Sequence, residues 1–331
     1  MNLNTPHLPV ELLDRIIQFT IPDSDYLAYS ASHLTTKTLL TLCMVSRATS
    51  RTAKTLLYTH CLYIDKPWRL DLLLTRSFSQ SNFPTPVSYI KNLYLSPFSE
   101  GTIRERRVVT QIAELFTLLG PSLKRLVIDM PLRSHYPEED IIDQLRPILR
   151  KGFEQLVHLE EFCSVKDELY LAYWDPTVSR QAHDDEVNDF MFDKWPKLRR
   201  LALYNQMLDF DFRSALTRLP NLESIVVSRP DYGEEKGLWL GNMAILFGNS
   251  VLSTYVDTTE IPSEAGLRAL FYTNVPEGTQ FDAWSYSLLV SKENDPISSV
   301  QEWSLQRALD GSLWSLPDVG GLDQYIVYSP N

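Results

Sequence analysis

A short run of alternating apolar residues, introduced by leucine and often by a basic pair, returns seven times along this chain. It reads HCLYID at 60–65, IKNLYLS at 90–96, LKRLVID at 123–129, LVHLEEFCSV at 156–165, LRRLALY at 198–204, LESIVVS at 222–228 and LSTYVDT at 252–258. Alternation at period two is the signature of a strand. Helical signals fill the gaps. Residues 104–119 place Ile112, Leu115, Phe116 and Leu119 at helical spacing and stop at Gly120-Pro121. Residues 138–155 predict a helix interrupted or kinked at Pro147, and 185–195 and 238–248 repeat the theme. Strand, helix, strand at such a period predicts a stack in which each unit is buried against its neighbours. That body spans residues 61–272.

The last sixty residues break the pattern. FDAWSYSLLV at 281–290 reads as another strand, and 296–331 are rich in Trp, Leu, Gly and Pro. Residues 273–331 are therefore expected to cap the open end of the stack, with a substrate-binding tail as the alternative.

The first sixty residues have a different grammar. LPVELLDRIIQFT at 8–20 gathers Leu8, Leu12, Leu13, Ile16, Ile17 and Phe19 on one broad face of a helix. Pro9 suits its first turn, and Ile21-Pro22 closes it. Residues 22–35 read as a polar loop. Thr36–Val45 predicts a second helix, too apolar to be solvated on any wide face. Residues 46–59 predict a third, with Ala48, Thr52 and Leu56 at four-residue spacing. Three such helices carry more apolar surface than they can bury against one another. Either the body covers the excess, or the excess is a docking face for another protein.

Charge separates the two units as well. The chain holds 31 Lys and Arg against 42 Asp and Glu, a net charge of −11. The first sixty residues carry +1, so the rest carries −12. Such a balance argues against nucleic acid or an anionic membrane surface as the main partner. A 44% hydrophobic composition excludes disorder as a description of the whole. No run approaches the 18 or so apolar residues of a spanning helix, and the N-terminus lacks the basic start of a secretory signal. The expected location is cytoplasmic and/or nuclear. Cys43, Cys61 and Cys163 are odd in number and widely spaced, which leaves neither a disulfide framework nor a CxxC zinc site.

Signatures of catalysis are absent: no P-loop, GxGxxG, HExxH or GxSxG occurs. His183-Asp184-Asp185-Glu186 is the best local cluster and reads as a solvated acidic turn before a helix. Its rival, the acid/base or metal site of a hydrolase, would be exposed by His183→Ala and Asp184→Ala. No cofactor is expected. Arg104, Arg106 and Arg107 are too few to bind nucleic acid within so acidic a body. Tyr170, Tyr173 and Trp174, in the irregular ELYLAYWDP segment, are candidate substrate-binding anchors. Burial in the core is the alternative.

LPxELLxxII at 8–17, LxxLCxVSR at 39–47 and an A…LLYxH ending at 53–60 together resemble the F-box motif, especially its fungal form. The resemblance implies a three-helix module over residues 5–60 that docks on the Skp adaptor of a cullin–RING ubiquitin ligase. The positions matching the motif are Leu8, Pro9, Leu12, Leu13 and Ile16, then Leu39, Leu42, Val45, Ser46 and Arg47, and finally Leu56, Leu57 and Tyr58. Two features depart from it: a longer spacer at 22–38, and Thr49 where many members carry Trp. In the body, GPSLKRL, WPKLRRL and LPNLESI resemble leucine-rich repeats, although steps of roughly 24 to 42 residues exceed the usual 20–29. Within the F-box family such a body selects the substrate. The expected fold is therefore α+β, a three-helix F-box followed by an irregular α/β leucine-rich-repeat-like solenoid. The expected function is that of a non-catalytic adaptor binding a protein substrate, with a repeat scaffold outside ubiquitylation as the alternative.

Overall fold

The computed structural model describes residues 8–23, 25–77, 86–173, 190–207, 209–229, 252–260, 283–290, 295–314 and 326–327. The fold is mixed α/β, built on a parallel sheet. Its strands are β1 Tyr63–Ile64, β2 Asn92–Leu95, β3 Arg125–Ile128, β4 Glu161–Ser164, β5 Arg200–Tyr204, β6 Ser224–Ser228, β7 Leu252–Glu260, β8 Ala283–Val290 and β9 Ile326–Val327. Their order in space is their order in sequence, and every neighbouring pair is parallel. The seven alternating runs supply β1 to β7, and 281–290 supplies β8.

Entry into the central strands is set by one recurring hydrogen-bond device. The Lys91 carbonyl accepts from the amides of both Lys124 and Arg125, Lys124 from Glu160 and Glu161, Glu160 from Arg199 and Arg200, and Arg199 from Glu223 and Ser224, all at 2.7 to 3.1 Å. Each strand is thereby pinned to its predecessor whatever the length of the excursion between them.

Parallel strands alternate side chains between two faces, and both must be covered. On the first face Leu93, Leu126, Phe162, Leu201 and Ile225 stand in register and are buried. Over them lie α4 Pro67–Leu72, α5 Arg106–Leu119, α6 Leu145–Phe153 and α7 Phe210–Thr217. Phe116 and Phe153 meet at 4.7 Å between ring centroids, Phe162 and Trp195 at 4.9 Å, and the Trp195 indole donates to the Phe153 carbonyl at 2.9 Å. Each fully buried side chain of this size stabilises by about 1.5–3 kcal/mol. Where α5 and α6 cross, a Cβ on Gly152 would sit 2.7 Å from the Ala113 Cα, so only glycine permits that approach.

The second face carries Tyr94, Val127, Cys163, Ala202 and Val226. The C-terminal helix α8, Pro296–Asp310, lays Val300, Trp303, Ala308 and Leu309 against them. Asp295 caps the start of α8 by accepting from the amides of Ile297 and Ser298, and Gly311 at φ 81° ends it. Leu27 and Ala28 complete the cover. The Leu27 amide donates to the Leu309 carbonyl at 2.6 Å, Arg125 donates to the Asp25 carbonyl at 2.9 Å, and the Tyr29 amide donates to the His60 carbonyl.

Three N-terminal helices, α1 Val10–Gln18, α2 Leu34–Val45 and α3 Arg47–His60, enclose a small core of Ile17, Leu39 and Ala53. Among the described residues no helix is long and apolar enough to cross a membrane.

Four expectations need correction. Pro9 precedes α1 as its N-cap residue. The helix expected over 138–155 begins only at Leu145, because Gln144 adopts a left-handed φ of 50° and the Asp140 carboxylate accepts from the Leu145 and Arg146 amides. Pro147 consequently falls in the first turn, where it interrupts nothing. Within 185–195 the described part is a single 3-10 turn, Met191–Lys194; residues 185–189, with the His183–Glu186 cluster, and residues 238–248 lie outside the described residues. The stretch 273–331 adds two strands to the sheet, and its helix α8 crosses the second face, since that apolar column needs a cover. Gly152→Val should therefore lower stability by about 1–3 kcal/mol through overpacking, read as a fall in denaturant midpoint at unchanged m-value.

Candidate functional site

The three N-terminal helices divide their apolar residues sharply. On α1, Leu13 and Ile17 turn inward to α3, whose Thr52 hydroxyl also donates to the Asp14 carboxylate. Leu12 and Ile16, four residues apart on α1, form a second stripe about 100° round the helix, with Leu8 just before the helix and Phe19 at its C-cap. Leu12 is 47% exposed, Ile16 55% and Phe19 84%. On α2, Leu39 is completely buried, while Leu34, Leu40, Met44 and Val45 are exposed, Met44 at 89%.

Between α2 and α3 the chain turns on a capping box. The Thr49 amide donates to the Ser46 hydroxyl and the Ser46 amide to the Thr49 hydroxyl, which itself donates to the Leu42 carbonyl at 2.9 Å. Thr49 is buried by this arrangement, whereas Ser46 and Arg47 beside it face solvent.

The residues matching the motif thus fall into two groups. Leu8, Pro9, Leu12, Ile16, Val45, Ser46 and Arg47 are at the surface. Leu39 is core, Leu13, Leu42, Leu56 and Leu57 are half-buried against it, and Tyr58 packs on the body. Val10, Leu34, Leu40 and Met44 add exposed apolar surface that the motif does not contain. For α2 no sequence signal separates these from Leu39, because the helix is apolar all round and has no polar face to orient it.

A second group of residues sits beyond the C-terminal ends of β3 and β4. Arg146, wholly buried on α6, donates to the carbonyls of Leu132, His135, Tyr170 and Ala172, and its guanidinium stacks 4.8 Å from the Tyr170 ring centre. Tyr170 and Tyr173 are half-buried here; Trp174 lies outside the described residues. Buried Asp167 accepts from the amides of Arg133 and Tyr170 and spans Leu169, whose φ of 62° is strained for a branched side chain. Burial, reinforced by the Glu168 charge, pushes the Asp167 carboxyl from 3.8 up to about 7. No local sequence signal reveals Arg146, whose acceptors lie 11 to 26 residues away.

Among the described residues no group of three or more His, Cys, Asp or Glu side chains could hold a metal ion. Burial pushes the Cys163 thiol up to about 12, so it stays protonated at neutral pH. No protein-family model, curated protein or solved structure matches the chain.

Arg146→Lys should cost about 2–4 kcal/mol, measured by denaturant unfolding, because one ammonium cannot serve four carbonyls placed for a planar fork. The Asp167 carboxyl gives a pH signature. Its folded-state pKa lies above its unfolded one, so folding retains a proton the unfolded chain has released, and stability from this group falls as pH rises from about 4 to about 7. Asp167→Asn should flatten that slope in a Tm series across the interval.

Proposed function

We propose that the protein is the substrate-recognition subunit of an SCF-type cullin–RING ubiquitin ligase. The observation that carries this reading is the exposed apolar stripe of α1. Leu8, Leu12 and Ile16 match the F-box motif and are turned to solvent, while Leu13 and Ile17 face inward. In this reading α1 to α3 are the F-box and hold the chain on the Skp adaptor. The sequential parallel sheet with its outer helices is an irregular leucine-rich-repeat-like solenoid that presents a protein substrate. Ubiquitin transfer is then promoted by position, which raises the effective concentration of the substrate near the conjugating partner. No residue of this chain takes a chemical role, no cofactor is required, and the protein works in the cytoplasm and/or nucleus.

One feature favours a rival reading, a non-catalytic repeat scaffold whose N-terminal helices bind a partner outside ubiquitylation. Thr49 is buried in the α2–α3 turn at the position where many F-box proteins carry Trp.

The test is a pull-down of the full chain with purified Skp adaptor, wild type against Leu12→Asp combined with Ile16→Asp. Both side chains are about half exposed, so the double variant should keep the wild-type Tm and circular dichroism while losing adaptor capture at least tenfold. Capture at the wild-type level by the variant would sink the proposal. Absence of adaptor and cullin from a wild-type complex that holds another partner through the same helices would establish the scaffold.

A further inference from the structure

Both faces of the central sheet are closed from within. On the first lie α4 to α7, and on the second α8 with Leu27 and Ala28. An open polar depression of about 550 Å3 at the start of β4 to β6 is lined by charged groups that already have partners, Arg199 with Glu223, Glu160 with Lys124 and Lys197 with His158. What the repeats leave outside is the edge where the strands end, and there the loop between β3 and α6 has an unusual surface. Ile142 is 90% exposed, Ile141 52% and Tyr136 49%. Two adjacent isoleucines held in water in a folded loop are an unfavourable arrangement that an absent partner would relieve.

The loop is built to hold that shape. The Tyr136 carbonyl accepts from the amides of Glu139 and Asp140. Asp140 in turn caps α6, and Arg146 holds the His135 and Leu132 carbonyls from beneath. Arg106 donates to the Asp143 carbonyl from α5. A surface fixed at both ends loses little freedom when something lands on it, which lowers the cost of association.

Its charge is equally defined. Residues 135–144 carry four carboxylates and no Lys or Arg. Asp140 is consumed internally and Glu139 faces Arg104 at 3.7 Å. Among the described residues no cation pairs with Glu138 or with the Asp143 carboxylate, and both are exposed.

We propose that residues 135–144 are a docking surface for a basic protein segment with apolar anchors, which seats its aliphatic or aromatic side chains on Tyr136, Ile141 and Ile142 and its Lys or Arg on Glu138 and Asp143. This rests on the reading of the chain as a substrate-recognition subunit and assigns the substrate's chemistry: a cationic, leucine- or phenylalanine-bearing stretch. The complementary charge accelerates encounter and rejects acidic competitors, while the apolar seat holds the complex once formed.

The experiment uses the full chain and two synthetic peptides in fluorescence anisotropy, one alternating Arg with Leu and Phe, the other identical but with Glu for Arg. The basic peptide should bind, more weakly as salt is raised, and the acidic one should not. Ile141→Ser with Ile142→Ser should weaken the basic peptide at least about tenfold, and so should Glu138→Lys with Asp143→Lys, which leaves the isoleucines in place. All four side chains are exposed, so Tm should be unchanged in both variants. Equal binding of the two peptides, no binding of either, or wild-type affinity in both variants would overturn the proposal. Adaptor capture by the same variants is read in parallel and should be unaffected. Loss of peptide binding with capture intact refers to this loop alone, whereas failure of capture by wild type concerns the N-terminal helices.

Discussion

Tyr94, Val127, Cys163, Ala202 and Val226 make an apolar column on the second face of the sheet, and the repeats that build the column have no means of covering it. Their own helices return along the first face. A parallel sheet is stable only when both faces are dry, so the cover must come from outside the repeats. It comes from the two extremes of the described chain, the segment between α1 and α2 and the helix α8. The long spacer that departs from the F-box pattern thus serves the fold directly. Tyr26 and Leu27 reach the sheet, and Tyr29 is tied back to α3 through His60. Together with Tyr58, which packs on the core of the first face, this ties the end of α3 to the body.

The column is bordered by charge. Arg125, Glu161 and Arg200 stand side by side on β3, β4 and β5, with Glu161 held at 2.9 Å by one arginine and 2.7 Å by the other. These pairs are partly buried, so they are less screened than surface ion pairs. Their alternation of sign from strand to strand also disfavours a sheet in which β3 pairs directly with β5, which would set Arg125 against Arg200.

Sequence made the strands legible because alternation is local: each of the seven runs carries its own period, and neighbours need not be known to read it. It also marked α5, whose apolar positions fall on one face. Legibility failed where the deciding interaction is remote. Nothing in PEEDIIDQLRP announces that Asp140 will cap the helix and start it at Leu145, and nothing near Arg146 shows the carbonyls it will serve. α2 failed for another reason. With apolar residues on all sides, periodicity cannot choose between Leu39, which is core, and Leu40 or Met44, which are not. The exposed loop isoleucines were hidden for a third reason: with Leu145 and Leu149, Ile141 and Ile142 fall at helical spacing, so the pattern reads them as part of a buried helix face that the structure starts only at Leu145.

The hydrogen bond from Leu27 to Leu309 has a consequence in time as well as in space. During synthesis the N-terminal helices emerge well before Leu309, the residue that seals their connecting segment to the sheet and that follows Leu27 by 282 residues. Until then the second face is open, and the growing chain carries an uncovered apolar column while β2 to β6 and the segments after them are made. Contacts of such sequence separation slow folding and lengthen exposure to aggregation. A chain cut short before α8 would therefore leave the Leu27–Ala28 segment without its partner helix and the apolar column of the second face exposed to water.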